Sequence, residues 1–205
     1  MIEFYTWATP NGRKISIMLE ECGLPYSVHK IDITKNQQFT PDFLKISPNN
    51  KIPGIIDTDG PGGQPYACFE SGAILLYLAD KTNRFLPTDR GKRFDAIQWL
   101  MWQMGGFGPM LGQTHHFVRF ASEQVPYAIK RFSEETRRLY GVLDRRLGAV
   151  EWCGGAEYSI ADIATYPWAA RHEWHKIDLA EFPHVRRWFD QMGERAAVKK
   201  GMSVP

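Results

Sequence analysis

The sequence predicts an α+β domain with a mixed sheet, followed by an all-helical domain. Three observations carry this expectation. Residues 1–82 alternate short apolar strands with amphipathic helices, in the order strand, helix, strand, helix, strand, strand, helix. Residues 83–91, from Asn83 to Gly91, interrupt the pattern and read as a linker. Residues 92–205 show helical periodicity with no strand-like segment. A chain of 205 residues, 43% hydrophobic and 23% charged, has the length and balance for one large globular domain or two small ones.

The elements follow in order. Ile2 to Trp7 alternates and carries aromatics, the pattern of a strand. Asn11 to Cys22 reads as a helix, with Ile15, Met18, Leu19 and Cys22 on one face and Gly23 placed to end it. Tyr26 to Ile31 reads as a second strand, and Pro41 to Ile46 as a short helical turn opened by proline. Ile52 to Asp57 and Tyr66 to Phe69 read as a hairpin across the turn Asp59-Gly60-Pro61-Gly62-Gly63. Gly72 to Asp80 is an apolar helix. Beyond the linker, helices are expected over Phe94 to Met104, Pro126 to Val150, Ser159 to about Arg171, and Pro183 to about Met192. Within the longest of these, Ile129, Phe132, Thr136, Leu139, Val142, Leu143 and Leu147 form the apolar side. Ser159-Ile160-Ala161-Asp162 is a capping box, a folding device rather than part of an active site.

The bulk properties exclude several classes of function. A net charge of +2 is too small to suggest a nucleic-acid or membrane partner. No apolar run approaches the ~18 residues of a membrane span. Met1 leads straight into a strand-like run, so no signal peptide is expected. Cys22, Cys68 and Cys153 form neither a CxxC pair nor a metal spacing, which fits reduced thiols in a cytoplasmic protein. His115-His116 lacks an evident third ligand, so no metal is expected.

Three short motifs sit at junctions between strands and helices. Thr9-Pro10-Asn11-Gly12-Arg13-Lys14 opens the first helix, where free N–H groups and a partial positive charge favour a thiolate or another anion. Taken alone, this stretch favours reading Thr9 as an ordinary N-cap. Ile52-Pro53 opens the third strand; a proline at the start of an edge strand needs no functional explanation. Glu70-Ser71 precedes another helix, with Ser71 at the expected N-cap, and a cap after an exposed acid is again the plain alternative.

In their order and spacing these motifs resemble the glutathione transferase superfamily, and within it the Nu class of glutathione-dependent disulfide reductases. Gly105-Gly106-Phe107-Gly108-Pro109-Met110-Leu111-Gly112-Gln113 is similar to the same class. The resemblance spans nearly the whole chain. It implies a thioredoxin-like first domain, a helical second domain and a homodimer with glutathione as co-substrate. By resemblance, Thr9 takes the position that addresses the glutathione sulfur, with Asn11 beside it and Tyr5 as a second candidate. Thr9 would act as a hydrogen-bond donor, since a threonine hydroxyl without a base is a poor nucleophile. The Ile52 backbone would pair with the cysteinyl part, and Glu70 and Ser71 would hold the γ-glutamyl end. Gln38 would contact the ligand, and Arg131 would reach the neighbouring subunit's ligand. Trp102, Met104, Phe107, Met110 and Phe117 are candidates to line a second-substrate pocket, although such stripes are more often core. The implied activity is reduction of a small disulfide. Conjugation of glutathione to carbon electrophiles is the alternative, and a non-catalytic glutathione binder is a third.

Overall fold

The computed structural model describes residues 1–205, which form two compact units. The first comprises residues 1–84 together with 195–205, and the second residues 85–194. The expected division placed everything after residue 91 in the second domain. The last eleven residues instead belong to the first unit, because they pack on its first helix.

Four strands build the first unit: β1 (Ile2–Thr6), β2 (Tyr26–Lys30), β3 (Gly54–Asp57) and β4 (Tyr66–Phe69), in the order β2-β1-β3-β4. β1 and β2 are parallel, and the other two pairings are antiparallel. The sheet is therefore mixed, as expected. β3 starts two residues later than expected and is a central strand, not an edge. Proline offers no N–H to a ladder that is flanked on both sides, so the strand begins only after Pro53.

The helices of this unit are α1 (Pro10–Cys22), α2 (Pro41–Ile46) and α3 (Ser71–Thr82). Ile2, Phe4, Ile55 and Asp57 share one face of the sheet by their cross-strand pairing. On that face Asp57, fully buried, accepts from the Tyr77 hydroxyl of α3 at 2.6 Å and pairs with Lys81 at 2.8 Å. On the opposite face Tyr5 meets Phe43 of α2, their rings 6.5 Å apart. α1 packs beside α3 and ends at Gly23, whose φ of 66° favours a residue without Cβ.

The C-terminal helix α9 (Ala196–Gly201) docks on α1. Ser16 Oγ donates to Gly201 O at 2.7 Å, Arg195 makes a bidentate pair with Glu21 at 2.7 and 2.9 Å, and Lys200 pairs with Glu20 at 2.8 Å. Sequence periodicity did not single out this six-residue helix, which is too short to show an apolar stripe.

The second unit is helical throughout: α4 (Arg90–Trp102), α5 (Gly108–His115), α6 (Pro126–Ala149), α7 (Ile160–Ala169) and α8 (Pro183–Glu194). Two π-helical turns, Gln103–Phe107 and His116–Phe120, extend α4 and α5, so helical backbone runs unbroken from Arg90 to Phe120. The sequence suggested a helix only as far as Met104. Pro109 lies inside this continuous run, in the first turn of α5 directly after the π-helical turn. Gly108 and Gly112 lie against the Trp168 ring; a Cβ on either would come within 3.1–3.2 Å of it. Gly108 and Gly112 of the glycine-rich motif thus serve packing within this unit, whereas Gly105 and Gly106 face open space.

Asp162 is the polar centre of the unit. Its carboxylate is fully buried and accepts from Cys153 N at 2.7 Å, Trp188 Nε1 at 2.9 Å and Ser159 N at 3.0 Å. The expected capping box is present, with Ser159 as its cap. Asp162→Ala leaves these donors buried without an acceptor, at about 1–3 kcal/mol each. A large drop in the urea midpoint of unfolding is the expected result, and a midpoint close to the parent's would contradict the central role.

Candidate functional site

Sheet register decides which chain segments meet. Tyr5 stands opposite Gly54, and Gly54 opposite Phe69. β1 therefore ends, β3 begins and β4 ends at one edge of the sheet. β2 ends there as well, because Thr6 lies opposite Lys30 in a parallel pairing. The segments that continue from these strand ends carry Thr9 and Asn11, Gln38, Ile52-Pro53, and Glu70-Ser71. Six of the seven residues singled out in the sequence thus belong to the same end of one sheet.

Thr9 is extended (φ −125°, ψ 158°), and its Oγ1 accepts the Gly12 N–H at 3.3 Å. It is therefore the N-cap of α1. The cap bond uses one lone pair of the hydroxyl oxygen, and a hydroxyl also has a proton to donate. Capping and donation to a ligand are compatible roles for the same group. Asn11 follows, half-buried, in the first turn. Tyr5 stacks on His29 with ring centroids 4.6 Å apart, and burial together with Glu3 raises its pKa. A phenol held protonated in the sheet and stacked on a neighbouring ring is a packing group.

The Ile52–Pro53 peptide bond is cis and immediately precedes β3. Gln38 lies in a short 3₁₀ turn, Gln37–Phe39, and its side-chain oxygen is buried without a hydrogen-bond partner in the protein. An orphaned acceptor of this kind matches a site that a donor from a ligand would complete.

The start of α3 differs from the expectation in one respect. Ser71 is the first helical residue, and Glu70 occupies the cap position with φ 66° and ψ 114° and no side-chain cap bond. A non-glycine residue with such a φ carries strain of about 1–3 kcal/mol. Strain of this kind concentrates at functional sites. The displacement by one residue buries Ser71, leaves Glu70 exposed, and keeps the first N–H groups of α3 clear of a capping side chain.

Sequence reasoning missed Lys14. It is 1% exposed, and its Nζ donates to Ser71 Oγ at 3.4 Å. Burial pushes its pKa down to about 7, opposed by the negative charge of Glu70. The signal was available: Lys14 and Met18 are four residues apart, so the apolar stripe of α1 places Lys14 on the buried face.

Arg131 belongs to the second unit, on an exposed part of α6. It lines a groove of about 600 Å³ with Met110, Tyr127, Lys130 and Phe132. The aromatic and methionine candidates divide. Phe107 is fully buried against Tyr140 and Trp102, at 5.4 and 5.0 Å, and is core. Phe117 stacks on Phe132 at 5.5 Å. His115 is buried face to face with His175, their ring centroids 4.3 Å apart, and desolvation pushes its pKa down to about 4. It is a neutral packing histidine in this arrangement.

The three cysteines share one property: burial raises every thiol pKa, that of Cys153 well above the usual value. Thiolate is the reactive form, so none of them is primed as a nucleophile.

The description "Glutathione S-transferase, N-terminal domain" matches residues 8–81, and "Glutathione S-transferase, C-terminal domain" matches residues 109–196. The chain is 51% identical over 203 residues to the disulfide-bond oxidoreductase YfcG of Escherichia coli K12, spanning 98% of this chain and 94% of that protein. This protein belongs to the glutathione S-transferase family. A glutathione transferase family member from Pseudomonas fluorescens Pf-5, solved with two glutathione molecules bound, superposes with a TM-score of 0.94 at 47% identity, covering 100% of this chain and 93% of its own. A glutathione transferase from Pseudomonas putida, solved with one glutathione disulfide per subunit, superposes with a TM-score of 0.95 at 45% identity, covering 100% and 91%. The thioredoxin-like first unit and helical second unit are those of the glutathione transferase fold.

The approach of α1 to the end of β1 depends on Gly12. A Cβ there would lie 2.6 Å from Trp7 O and collide with Thr6 Oγ1. Gly12→Ala is expected to cost about 1–3 kcal/mol of stability and to speed hydrogen exchange at the amides that open α1. An unchanged urea midpoint with unchanged exchange would show that the helix start is free to move.

Proposed function

We propose that this protein is a glutathione-dependent disulfide-bond reductase that uses the thiolate of bound glutathione rather than a protein cysteine. One observation carries the reading. The site offers two helix N-termini suited to anions, while all three of the chain's own thiols are held protonated by burial. Thr9 and Asn11 stabilise the glutathione sulfur. The Ile52 backbone pairs with the cysteinyl part, Gln38 accepts from the ligand, and Glu70 and Ser71 hold the α-amino and α-carboxylate groups of its γ-glutamyl end. Arg131 reaches the ligand of a second subunit in a homodimer. The reducing environment that glutathione chemistry needs is cytoplasmic.

The reaction balances without a metal or a protein thiol. The bound thiolate attacks one sulfur of the incoming disulfide, forming a mixed disulfide and releasing the other half as thiolate. A second glutathione thiolate attacks the glutathione sulfur of that intermediate. Glutathione disulfide forms, the second substrate thiolate leaves, and both thiolates take up protons. Two bound glutathiones and a bound glutathione disulfide, the states of the two related structures, are the reactant and product forms of the reducing pair.

The magnitudes fit the residues. Lowering a thiol pKa by about two units takes roughly 2.7 kcal/mol. A helix terminus supplies up to ~2 kcal/mol, and a charge-assisted hydrogen bond about 1.5–3 kcal/mol. The start of α1 together with Thr9 or Asn11 is sufficient. The deciding assay compares glutathione-dependent reduction of a small dialkyl disulfide with conjugation of a chlorinated nitroaromatic. Reduction should dominate; conjugation without reduction would replace this function with transfer to carbon.

Thr9→Ala should raise the pKa of bound glutathione by about one to two units. The thiol then ionises at higher pH, so the rate lost near neutrality returns as pH rises. Thiolate absorbance of the complex against pH measures the shift, and a midpoint equal to that of the parent would leave Thr9 as a cap alone. A variant with Cys22, Cys68 and Cys153 all changed to Ser should retain disulfide reduction. Near-total loss of turnover in that variant, if folded, would point to a protein thiol in the mechanism.

A further inference from the structure

A lysine is almost never fully buried without a reason. Lys14 is such a residue, and no step of the thiol chemistry above uses it. It sits on the inner face of α1, behind the start of α3, with its Nζ at 3.4 Å from Ser71 Oγ. The negative charge of Glu70 acts on it. Glu70 is exposed, whereas Ser71 is 3% and Lys14 1% exposed. An exposed carboxylate thus stands next in sequence to a buried hydroxyl, which is bonded to a buried lysine. The free end of an α-amino acid, one ammonium and one carboxylate, is the complement of this arrangement.

We propose that Lys14 is a positioning residue for the α-amino-acid end of the ligand: its ammonium donates to Ser71 Oγ from inside the protein, turns the Ser71 proton toward the open start of α3, and sets a positive charge behind the ligand carboxylate. The proposal rests on the reading that this site holds glutathione. When protonated, Lys14 has three donors and no lone pair, so in that state the Ser71 oxygen is the acceptor in that bond. The same charge, taken out of water, destabilises the folded chain on its own. Removing it should therefore preserve or raise stability while weakening the ligand, the opposite of what a structural lysine would do.

The test uses Lys14→Met in the full chain, with two thiols, glutathione and cysteinylglycine, the second lacking the γ-glutamyl group. The KM for glutathione should rise about 10- to 100-fold, with kcat at saturating glutathione retained and the melting temperature equal to or above the parent's. The preference for glutathione over cysteinylglycine, as a ratio of kcat/KM, should fall by a similar factor. An unchanged preference, or equal losses for both thiols with a lowered melting temperature, would overturn the role of Lys14 and leave the proposed activity standing. If Lys14→Met does not fold, Lys14→Gln keeps a donor but removes the charge, and the same loss of preference is required of it. A parent protein with no glutathione-dependent reduction would instead overturn the functional reading and this inference with it.

Discussion

Everything at the candidate site depends on the pairing of Tyr5, Gly54 and Phe69 across three adjacent strands. Antiparallel pairing of the central strand makes its beginning coincide with the ends of its neighbours. A slip of one residue in this register would exchange the two faces of β3. Ile55 and Asp57, both fully buried, would then face the wrong layer. The buried Asp57 resists that slip because it is tied to Tyr77 and Lys81, both on α3. The same register gathers the starts of α1 and α3 and the cis Ile52–Pro53 turn at one end of the sheet.

What gathers there is suited to holding an anionic, peptide-like ligand and poorly suited to supplying a thiol. The start of α1 is capped by Thr9, and that of α3 is turned by the positive φ of Glu70. Burial raises the pKa of all three cysteines and keeps their thiols protonated. Cys22 also lies at the other end of α1 from Thr9, a separation of roughly 20 Å at 1.5 Å per residue. In the proposed reading the reactive sulfur arrives with the ligand, and the protein contributes position and charge.

The C-terminal segment has a part in this. Arg195, Lys200 and Gly201 fasten the outer side of α1, whose inner side carries Lys14. A helix start that must present N–H groups at a fixed place is held from both sides, by α3 and by α9. In the second unit the corresponding anchor is Asp162, and the Thr114–Thr136 hydroxyl pair at 2.7 Å joins α5 to α6. The aromatic residues between these anchors are mostly packing groups. His115 and Phe107 show why: each is enclosed by rings on several sides.

The sequence by itself determined the order of elements in the first domain, the helical character of the second and the motifs of the site. These are written in local signals: alternation in β1, proline at the start of α2, glycine at the end of α1, a capping box before α7. Local signals failed where long-range packing overrides them. The helix expected to end at Met104 continues through Gly105-Gly106 and Pro109 as far as Phe120. Helix α9 is too short to announce itself and exists by docking on α1. Only the tertiary structure decided that Glu70, not Ser71, takes the cap position. It also decided that a lysine lies buried behind that pair. Register, depth and the charge of a distant neighbour are properties of chain segments brought together, and no single segment carries them alone.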